Sequence, residues 1–443
     1  MRTVGIICEY NPFHNGHLRQ LRLARELAGE DCALICLMSG NYVQRGEAAV
    51  FSKRVRAEAA VRCGADLVLE LPLTVALSSA EGFASGGVRI LSALGCDFLC
   101  YGIESDDHNK IMTTAKANLD PAFDSLLRAA LESGCSYPAA RQRALEALGA
   151  GEGLSSPNDI LAVEYCKALL RQNSPMRPLP IRRPNTYYTD TLDPEAPSAS
   201  ALRRLLAMPS TLGEGAEQSE ADEGGCRSSL GSWNRIDVRS TTSSAPVCAL
   251  ERLPLKGKAF EPKVQLWKLA VPEALHGLYE TAPIHCMEAG ERAMLAVLRT
   301  LPDEAFAALP YGAEGLWSKL MKNCRSCASV QEIVAATKSK RYTHSRVQRM
   351  LLCAFLGLTG KNLESPSPYA RILAFDARGS ALLRTLKSRF PLVNAGEHPP
   401  DAAYYALEYR AAALYGLFAA EAPEPPNVEA ALRVVSVDNS FLP

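Results

Sequence analysis

Residues 3–28 read TVGIICEYNPFHNGHLRQLRLARELA, and this stretch decides the fold of the N-terminal half. Residues 3–9 are an apolar run typical of a buried strand, the Asn-Pro pair ends that run, and the apolar residues of 17–28 recur at helical spacing. Similar pairs of strand and helix patterns follow. They predict a doubly wound α/β fold with a parallel sheet, followed by a mostly helical C-terminal region with a small α/β segment.

The alternating pattern continues to residue 182. Strands are predicted over 3–9, 33–38, 66–71, 97–103 and 176–182, and helices over 17–28, 53–63, 79–94, 121–133, 138–149 and 157–171. Ligands of such sheets bind beyond the carboxyl ends of the strands. One cleft is therefore expected to collect the residues that follow strand ends, which are His14, Gly40, Pro72 and Gly102.

The composition changes after residue 207. Residues 208–250 are rich in Ser, Gly, Glu and Thr and have no periodicity, which predicts a flexible insertion or linker. Beyond it, 262–360 predicts several helices and 367–416 a short α/β segment. We therefore divide the chain into a nucleotide-binding domain, an insertion and a mainly helical region, over 1–207, 208–250 and 251–443.

The overall composition is that of an ordinary globular protein. The 443 residues include 48 basic and 48 acidic side chains, so no net charge indicates a nucleic-acid partner. The 14 cysteines are scattered, and Cys324 and Cys327 form a CxxC pair without a second pair at zinc-site spacing, which favours free thiols in a reducing compartment. No apolar run has the length of a membrane span. A cytoplasmic location is expected, with no membrane contact and no protein partner implied.

His14 and His17 flank Gly16 at the predicted start of a helix. Unpaired N–H groups and the positive end of the helix dipole attract anions there, and a glycine lets a phosphate approach the backbone. Protonated imidazoles would neutralise charge on an α-phosphate and on departing pyrophosphate. The spacing predicts nucleotidyl chemistry with the two histidines as catalytic residues, although an ordinary helix cap also fits the pattern.

Other polar side chains at helix starts extend this phosphate hypothesis. Arg45 lies in a polar loop after the second predicted strand, at the expected cleft. Ser198 and Ser200 precede Arg203 at the start of a helix, where hydroxyl, N–H and guanidinium donors would face a phosphate chain. Each also fits a solvated surface or a helix cap.

Two further candidates lie at the end of the predicted sheet. Asn158, in the first turn of its helix, is placed to bind an adenine or a ribose, and Arg183 at a strand end is placed to bind phosphates. No acidic spacing demands a protein-built metal site. Only Mg²⁺ that arrives with ATP is expected.

Residues 319–349 carry eight basic side chains and a single acidic one in an otherwise neutral chain. Tyr342 and His344 are interleaved with them, a pattern that suits a phosphate backbone and an unstacked base. A solvated helical face is the alternative. The candidates for nucleic-acid binding are Lys340, Arg341, Arg346 and Arg349.

Four motifs, in order, resemble those of a known family: GIICEYNPFHNGHLRQL, GNYVQRGEAAVFSKRVRAEAAVRCGADLVLELP, SSPNDILAVEYCKAL and SASALRR. With KRYTHSRVQRMLLCAFLGL and SPYARILAF they cover nearly the whole chain outside 208–250. The chain resembles the bacterial tRNA(Met) cytidine acetate ligases, which are similar in fold to the HIGH-type nucleotidylyltransferases. That resemblance implies a Rossmann-like N-terminal domain.

The resemblance implies a reaction in two steps. ATP and acetate would give acetyl-adenylate and pyrophosphate, and the acetyl group would pass to the wobble cytidine of elongator tRNA(Met), forming N(4)-acetylcytidine. The implied ATP contacts are Ile7, Cys8, Glu9, Tyr10, Asn11, Pro12, Phe13, His14, Asn15, Gly16, His17, Leu18, Arg19, Gln20, Gly102, Asn158 and Arg183. The residues alone leave two alternatives open, a nucleotidylyltransferase for a small phosphorylated metabolite and a non-catalytic RNA-binding protein.

Overall fold

A computed structural model of the chain describes residues 1–151, 156–183, 197–206, 266–339, 342–426 and 428–438. The N-terminal part alternates strands and helices close to the predicted bounds. Its elements are β1 Thr3–Cys8, α1 Asn15–Ala28, β2 Ala33–Ser39, β3 Tyr42–Val43, β4 Glu47–Ala48, α2 Lys53–Arg62, β5 Leu67–Leu71, α3 Leu73–Ala76, α4 Ala80–Leu94, β6 Phe98–Ile103, α5 His108–Ala117, α6 Phe123–Glu132, α7 Tyr137–Ala147, α8 Pro157–Arg171, β7 Arg177–Arg182 and α9 Ala199–Leu206.

The C-terminal part is mostly helical, as predicted, and contains three further strands. Its elements are α10 Leu266–Leu269, α11 His276–Thr281, α12 Glu291–Thr300, α13 Asp303–Ala307, α14 Leu316–Ser326, α15 Val330–Thr337, α16 His344–Leu356, α17 Gly360–Glu364, β8 Ala370–Phe375, α18 Ala377–Lys387, β9 Leu392–Asn394, α19 Ala402–Tyr415, α20 Val428–Ala431 and β10 Val435–Ser436. The predicted insertion, 208–250, lies outside the described residues.

The central sheet has the strand order β10-β8-β5-β2-β1-β6-β7, with β9 paired to β8. The strands from β5 to β7 in this order are parallel, and β1 lies between β2 and β6. The chain leaves β1 towards β2 on one side and reaches β6 on the other, so the switch point of this doubly wound sheet lies beside β1. The predicted fold class is confirmed, and the switch point marks where a ligand would bind.

The C-terminal α/β segment extends this same sheet. β8 runs antiparallel to β5, and β9 and β10 run parallel to β8. The sheet therefore crosses from the segment predicted as the N-terminal domain into the segment predicted as the helical region. A strand pattern in a sequence shows that a strand forms but not which sheet it joins, so this pairing had no local signal.

The β3–β4 hairpin was predicted as a polar loop, and that prediction is wrong. Tyr42 is 1% exposed and its hydroxyl donates to the carbonyl oxygen of Ala411, 3.0 Å away. Its ring packs in an apolar cluster with helices α12, α14, α15, α16 and α19. Burial of the hairpin comes from helices of the C-terminal part, which are distant in the chain, so the local sequence does not reveal it.

A buried network of charges joins α2, the sheet and the C-terminal helices. Lys53 Nζ lies 2.8 Å from a Glu70 carboxylate oxygen and 2.7 Å from one of Glu429. Arg371 pairs with Glu408 at 2.9 Å and with Glu429 at 3.1 Å. All five side chains are buried. Burial raises the pKa of Glu70 to about 7, although Lys53 opposes that rise.

The cysteines in the described part of the chain are free, and most are buried, as the sequence predicts. Burial raises the pKa of the Cys324 thiol to about 12, so it is a neutral thiol at physiological pH. Over the same residues, the helices are all too short or too polar to cross a bilayer.

Candidate active site

A cavity of about 350 Å³ lies beyond the carboxyl ends of β1, β6 and β7, at the switch point of the sheet. The β3–β4 hairpin and the first turns of α1, α4, α8 and α9 complete its wall. Of the side chains predicted to bind ATP or phosphate, the lining includes Ile7, Cys8, Glu9, Tyr10, Asn11, His14, Gly16, His17, Arg19, Gln20, Arg45, Gly102, Asn158, Arg183, Ser198, Ser200 and Arg203.

Four residues of the predicted ATP set lie outside the lining: Pro12, Phe13, Asn15 and Leu18. Two of them hold the loop in place instead. Phe13 is fully buried and its carbonyl oxygen accepts a hydrogen bond from the Tyr279 hydroxyl at 3.2 Å. The Asn15 amide donates to the carbonyl oxygen of Leu269 at 3.0 Å. These contacts fix the turn before α1 against α10 and α11.

The two histidines cap α1 and orient each other. Nδ1 of His14 accepts from the Gly16 N–H at 3.1 Å, and Nδ1 of His17 accepts from the His14 N–H at 3.3 Å. Their rings stack with centroids 3.7 Å apart. Because Nδ1 is an acceptor in both rings, the proton of each neutral imidazole is on Nε2. The cap therefore leaves two Nε2–H donors for a ligand in the cavity.

The sequence predicts protonated imidazoles, and the burial of both rings opposes that charge state. Burial, together with the nearby Arg183 guanidinium, lowers the pKa of His14 to about 3. Burial also lowers the pKa of His17 well below its usual value, with His14 and Arg183 adding to the effect. Both imidazoles are therefore neutral at pH 7, and each offers an Nε2–H hydrogen-bond donor rather than a positive charge. A bound polyphosphate would raise their pKa again.

The start of α9 docks against the loop that follows β1. Arg203 donates to the carbonyl oxygen of Asn11 at 2.8 Å and to the Ser200 hydroxyl at 3.3 Å, and it lies 3.8 Å from a Glu47 oxygen. The predicted Ser/Arg motif is therefore next to the histidines. Arg203 and the histidines bring donors from two distant segments to one end of the cavity.

The other end of the cavity is formed by β6, β7 and the start of α8. The Asn158 amide donates to a Glu104 carboxylate oxygen at 2.6 Å, while Asp159 accepts the backbone N–H groups of Glu104 and Ser105. The side chain of Arg183 passes over Gly102. A Cβ built at Gly102 would lie 3.4 Å from the Cδ of Arg183. This distance is an ordinary van der Waals contact, so the Arg183 side chain lies directly beside the end of β6.

Arg56, which holds the strand ends together, was not predicted from the sequence. Arg56 of α2 is fully buried, and its guanidinium donates to the carbonyl oxygens of Glu9, Ser39, Gly40 and Phe51. It thus fixes the ends of β1 and β2 where the cavity opens. A buried arginine within a helical pattern has no distinguishing sequence signal, because most arginines at such positions are exposed.

An apolar wall of the cavity was also missed. It consists of Ala80 and Phe83 from α4 and Leu161 and Tyr165 from α8. Phe83 and Tyr165 are 2% and 3% exposed. Helical periodicity identifies a buried face but does not distinguish the wall of a cavity from the core.

Two of the four basic candidates lie in the described part of the chain. Lys340 and Arg341 lie outside the described residues. Arg346 donates to the carbonyl oxygen of Tyr311 at 2.6 Å and lies 5.2 Å from the Tyr342 ring centroid. Arg349 is 8% exposed and donates to the carbonyl oxygen of Gln44 at 3.1 Å. Arg349 thus supports the hairpin, and its guanidinium is too buried to bind a phosphate backbone.

Comparison with known proteins identifies the family. A model of the HIGH Nucleotidyl Transferase family matches residues 1–223 and 242–428. A tRNA(Met) cytidine acetate ligase from Acetivibrio thermocellus is 33% identical over 412 residues, which cover 89% of this chain and 88% of that protein. The chain belongs to the tRNA(Met) cytidine acetate ligase family. The ligase of Clostridium acetobutylicum is likewise 33% identical, over 89% of this chain and 90% of its own length.

Solved structures of the ligase family share the whole fold. Crystal structures of Thermotoga maritima TmcAL, one apo and one bound with alpha-thio ATP, match this chain with TM-scores of 0.78 and 0.77. Each is 26% identical, and the match covers 99% of this chain and 100% of theirs. The resemblance read from the motifs is confirmed, including the HIGH-type fold of this ligase family.

The low pKa of His14 predicts an acid-sensitive fold for this member of the family. Below its usual pKa of 6.5 the unfolded chain binds a proton that the buried imidazole does not, so stability falls as the pH falls. His14→Asn keeps a capping acceptor and removes this titration. The loss of unfolding free energy between pH 7.5 and 5.5 is expected to be about 1.4 kcal/mol smaller in the variant.

Denaturant unfolding at the two pH values measures this difference. His398→Asn, at an exposed position, is the matched control and should show the same loss as the unmodified chain. An equal loss in His14→Asn and the unmodified chain would show that His14 has an ordinary pKa.

Proposed function

We propose that the chain activates acetate with ATP as acetyl-adenylate and transfers the acetyl group to the wobble cytidine of elongator tRNA(Met). The product is N(4)-acetylcytidine. The observation that carries this proposal is the pair of capping histidines in the switch-point cavity of a chain that is 33% identical to tRNA(Met) cytidine acetate ligases over 89% of its length.

In the first step, a carboxylate oxygen of acetate attacks the α-phosphorus of ATP. The bond between that phosphorus and the bridging oxygen of pyrophosphate breaks, so that acetyl-adenylate and pyrophosphate form. Negative charge grows on the departing pyrophosphate, and the two Nε2–H donors and the Arg203 guanidinium stabilise it. The first N–H groups of α1 are not among these donors, because those of Asn15, Gly16 and His17 already donate to acceptors within the protein. Each donor is fixed before the substrate binds, which reduces the reorganisation that the step requires.

In the second step, the exocyclic amine of cytidine attacks the acetyl carbonyl carbon. The carbon–oxygen bond to AMP breaks, the amine loses a proton, and AMP leaves. A cytosine amine is a weak nucleophile, so the step needs the AMP leaving group and close positioning. Glu9 lines the cavity, and burial raises the pKa of its carboxyl group, which makes the carboxylate a stronger proton acceptor for the amine.

ATP is proposed to lie across the switch point. Gly102 and Asn158 would hold the nucleoside end, and Arg183 and the two histidines would hold the phosphates. Mg²⁺ is proposed to enter with ATP and to neutralise part of the phosphate charge. Among the described residues no three His, Cys, Asp or Glu side chains gather as metal ligands, which fits an ion held mainly by phosphates.

The tRNA is proposed to bind the region 251–443, and 1–207 is proposed as the nucleotide domain. Lys340, Arg341 and Arg346 remain candidates for phosphate contacts, whereas the burial of Arg349 removes it from this set. A reaction that consumes ATP and modifies tRNA takes place where both occur, so a cytoplasmic location is part of the proposal.

ATP-pyrophosphate exchange tests the proposal, because it reports the first step without tRNA. Exchange that requires acetate is the expected result. Exchange that ignores acetate but requires a phosphorylated metabolite would identify a metabolite nucleotidylyltransferase. The absence of exchange with any of these substrates would favour a non-catalytic RNA-binding protein.

A further inference from the structure

A second cavity, of about 520 Å³, lies beside the active-site cavity. Helices α12, α15 and α16 form its walls. Apolar side chains of Met294, Val334 and Leu351 line it together with the polar side chains of His344 and Gln348. A concave site of this size, with an apolar floor and several polar and charged groups around it, suits a nucleobase, which has both a ring face and hydrogen-bonding edges.

The β3–β4 hairpin separates the two cavities. Gln44 and Arg45 line the active-site cavity, Gly46 lines the second cavity, and Glu47 lines both. The two cavities are therefore next to each other, and an occupant of the second cavity contacts the element that closes the first.

The hairpin is held tightly against α16. Gly46 has a φ of 82°, and a Cβ there would lie 2.5 Å from the backbone nitrogen of Arg349. Arg349 in turn donates to the carbonyl oxygen of Gln44. The hairpin between the two cavities is therefore fixed at two points, so the second cavity belongs to the structured part of the site.

We propose that the second cavity holds an unstacked base of the tRNA anticodon loop, a neighbour of the reacting cytidine. This inference rests on the proposed function. The reacting cytidine has to enter the active-site cavity, where acetyl-adenylate forms, and the second cavity contains none of the residues proposed to bind ATP. A single strand that crosses the hairpin would place adjacent bases in the two cavities.

The side chains favour a base over a phosphate inside the second cavity. Three carboxylates line it, those of Glu47, Glu288 and Glu291, against the one ammonium group of Lys338. This excess of negative charge disfavours a phosphate, while the carboxylates accept hydrogen bonds from the exocyclic amine of a base. His344 Nδ1 lies 3.0 Å from Gln348 Oε1, so these two form a polar edge that can pair with a base. The apolar floor supplies a packing surface for the ring.

A cavity-filling variant tests this assignment in the full chain. Ala335 and Ala336 are both exposed on the same helix, but only Ala335 lines the second cavity, at its open side. Ala335→Trp is expected to raise the KM for elongator tRNA(Met) by at least about tenfold, the scale of losing one base contact. Acetate-dependent exchange without tRNA should stay within about twofold, and Ala336→Trp should change neither quantity.

A second measurement uses an anticodon stem-loop RNA with 2-aminopurine beside the reacting cytidine. Binding to the unmodified chain should increase its fluorescence because the base unstacks, and Ala335→Trp should abolish the increase. An unchanged tRNA KM in Ala335→Trp, or no fluorescence increase with the unmodified chain, would overturn the assignment. If Ala335→Trp also loses exchange, the substitution has disturbed the first step as well, and the fluorescence measured with the unmodified chain then decides whether the neighbouring base unstacks. Missing exchange in the unmodified chain would instead refute the proposed function.

Discussion

Replacing His17 with alanine is expected to slow acetyl-adenylate formation by at least about a hundredfold, the scale of losing one preorganised charge-stabilising donor. His14→Ala should have an effect of similar size, because the two rings stack and each Nδ1 is fixed by a backbone N–H. The loss should appear in kcat more than in the KM for ATP, since the charge on pyrophosphate grows in the transition state.

Acetate-dependent ATP-pyrophosphate exchange measures the rates of both variants. His398→Ala, at an exposed position outside the cavity, is the matched control and should retain the full rate. His14→Ala also loses a helix cap, at a cost of about 1 kcal/mol, so its thermal stability is measured alongside. Near-normal exchange in both histidine variants would contradict the assigned role.

The Lys53→Met variant is expected to lose about 3–5 kcal/mol of unfolding free energy, because three buried carboxylates, those of Glu70, Glu408 and Glu429, are then left with Arg371 as their one cation in this network. Lys53 is the partner of both Glu70 and Glu429, and all three side chains are buried. Glu429 lies in α20, so the loss should also loosen the attachment of the C-terminal segment to the sheet. Denaturant unfolding and hydrogen exchange of residues 428–438 measure the two effects.

Arg62→Met is the matched control for this network. It removes a cation from the same helix, and its partner Glu58 is 2.6 Å away, but the Arg62 side chain is 42% exposed. A surface pair of this kind contributes roughly 0–1 kcal/mol. Equal losses in the two variants would show that burial does not amplify the Lys53 pairs.

The sheet from β1 to β7 could be predicted from the sequence because each element carries its own local pattern. The bounds of α8, for example, follow from Ser156 and Pro157, a cap and a first-turn proline. The burial of the β3–β4 hairpin and the pairing of β8 could not be predicted, because both depend on segments that are distant in the chain. In the sequence Tyr42 has the pattern of an exposed loop residue, and it is the contact with α19 in the folded chain that buries it.

The features of the candidate site also divide into those that have a local sequence signal and those that depend on the fold. His14, His17 and Arg203 were predicted to line the cavity because helix starts and basic side chains have local signatures. Arg56 and the neutral state of the histidines were not predicted, since both depend on burial in three dimensions. Arg349 was predicted as an exposed cation, and its position under the hairpin shows that charge in a sequence does not reveal exposure.

Mass spectrometry of nucleosides from elongator tRNA(Met) tests the central claim most directly. The tRNA is incubated with the chain, ATP and isotopically labelled acetate, and its wobble cytidine is then analysed. The account predicts labelled N(4)-acetylcytidine that requires ATP and is lost in His17→Ala. Unmodified cytidine in reactions where acetate-dependent pyrophosphate exchange proceeds would contradict it, because activated acetate would then serve another acceptor.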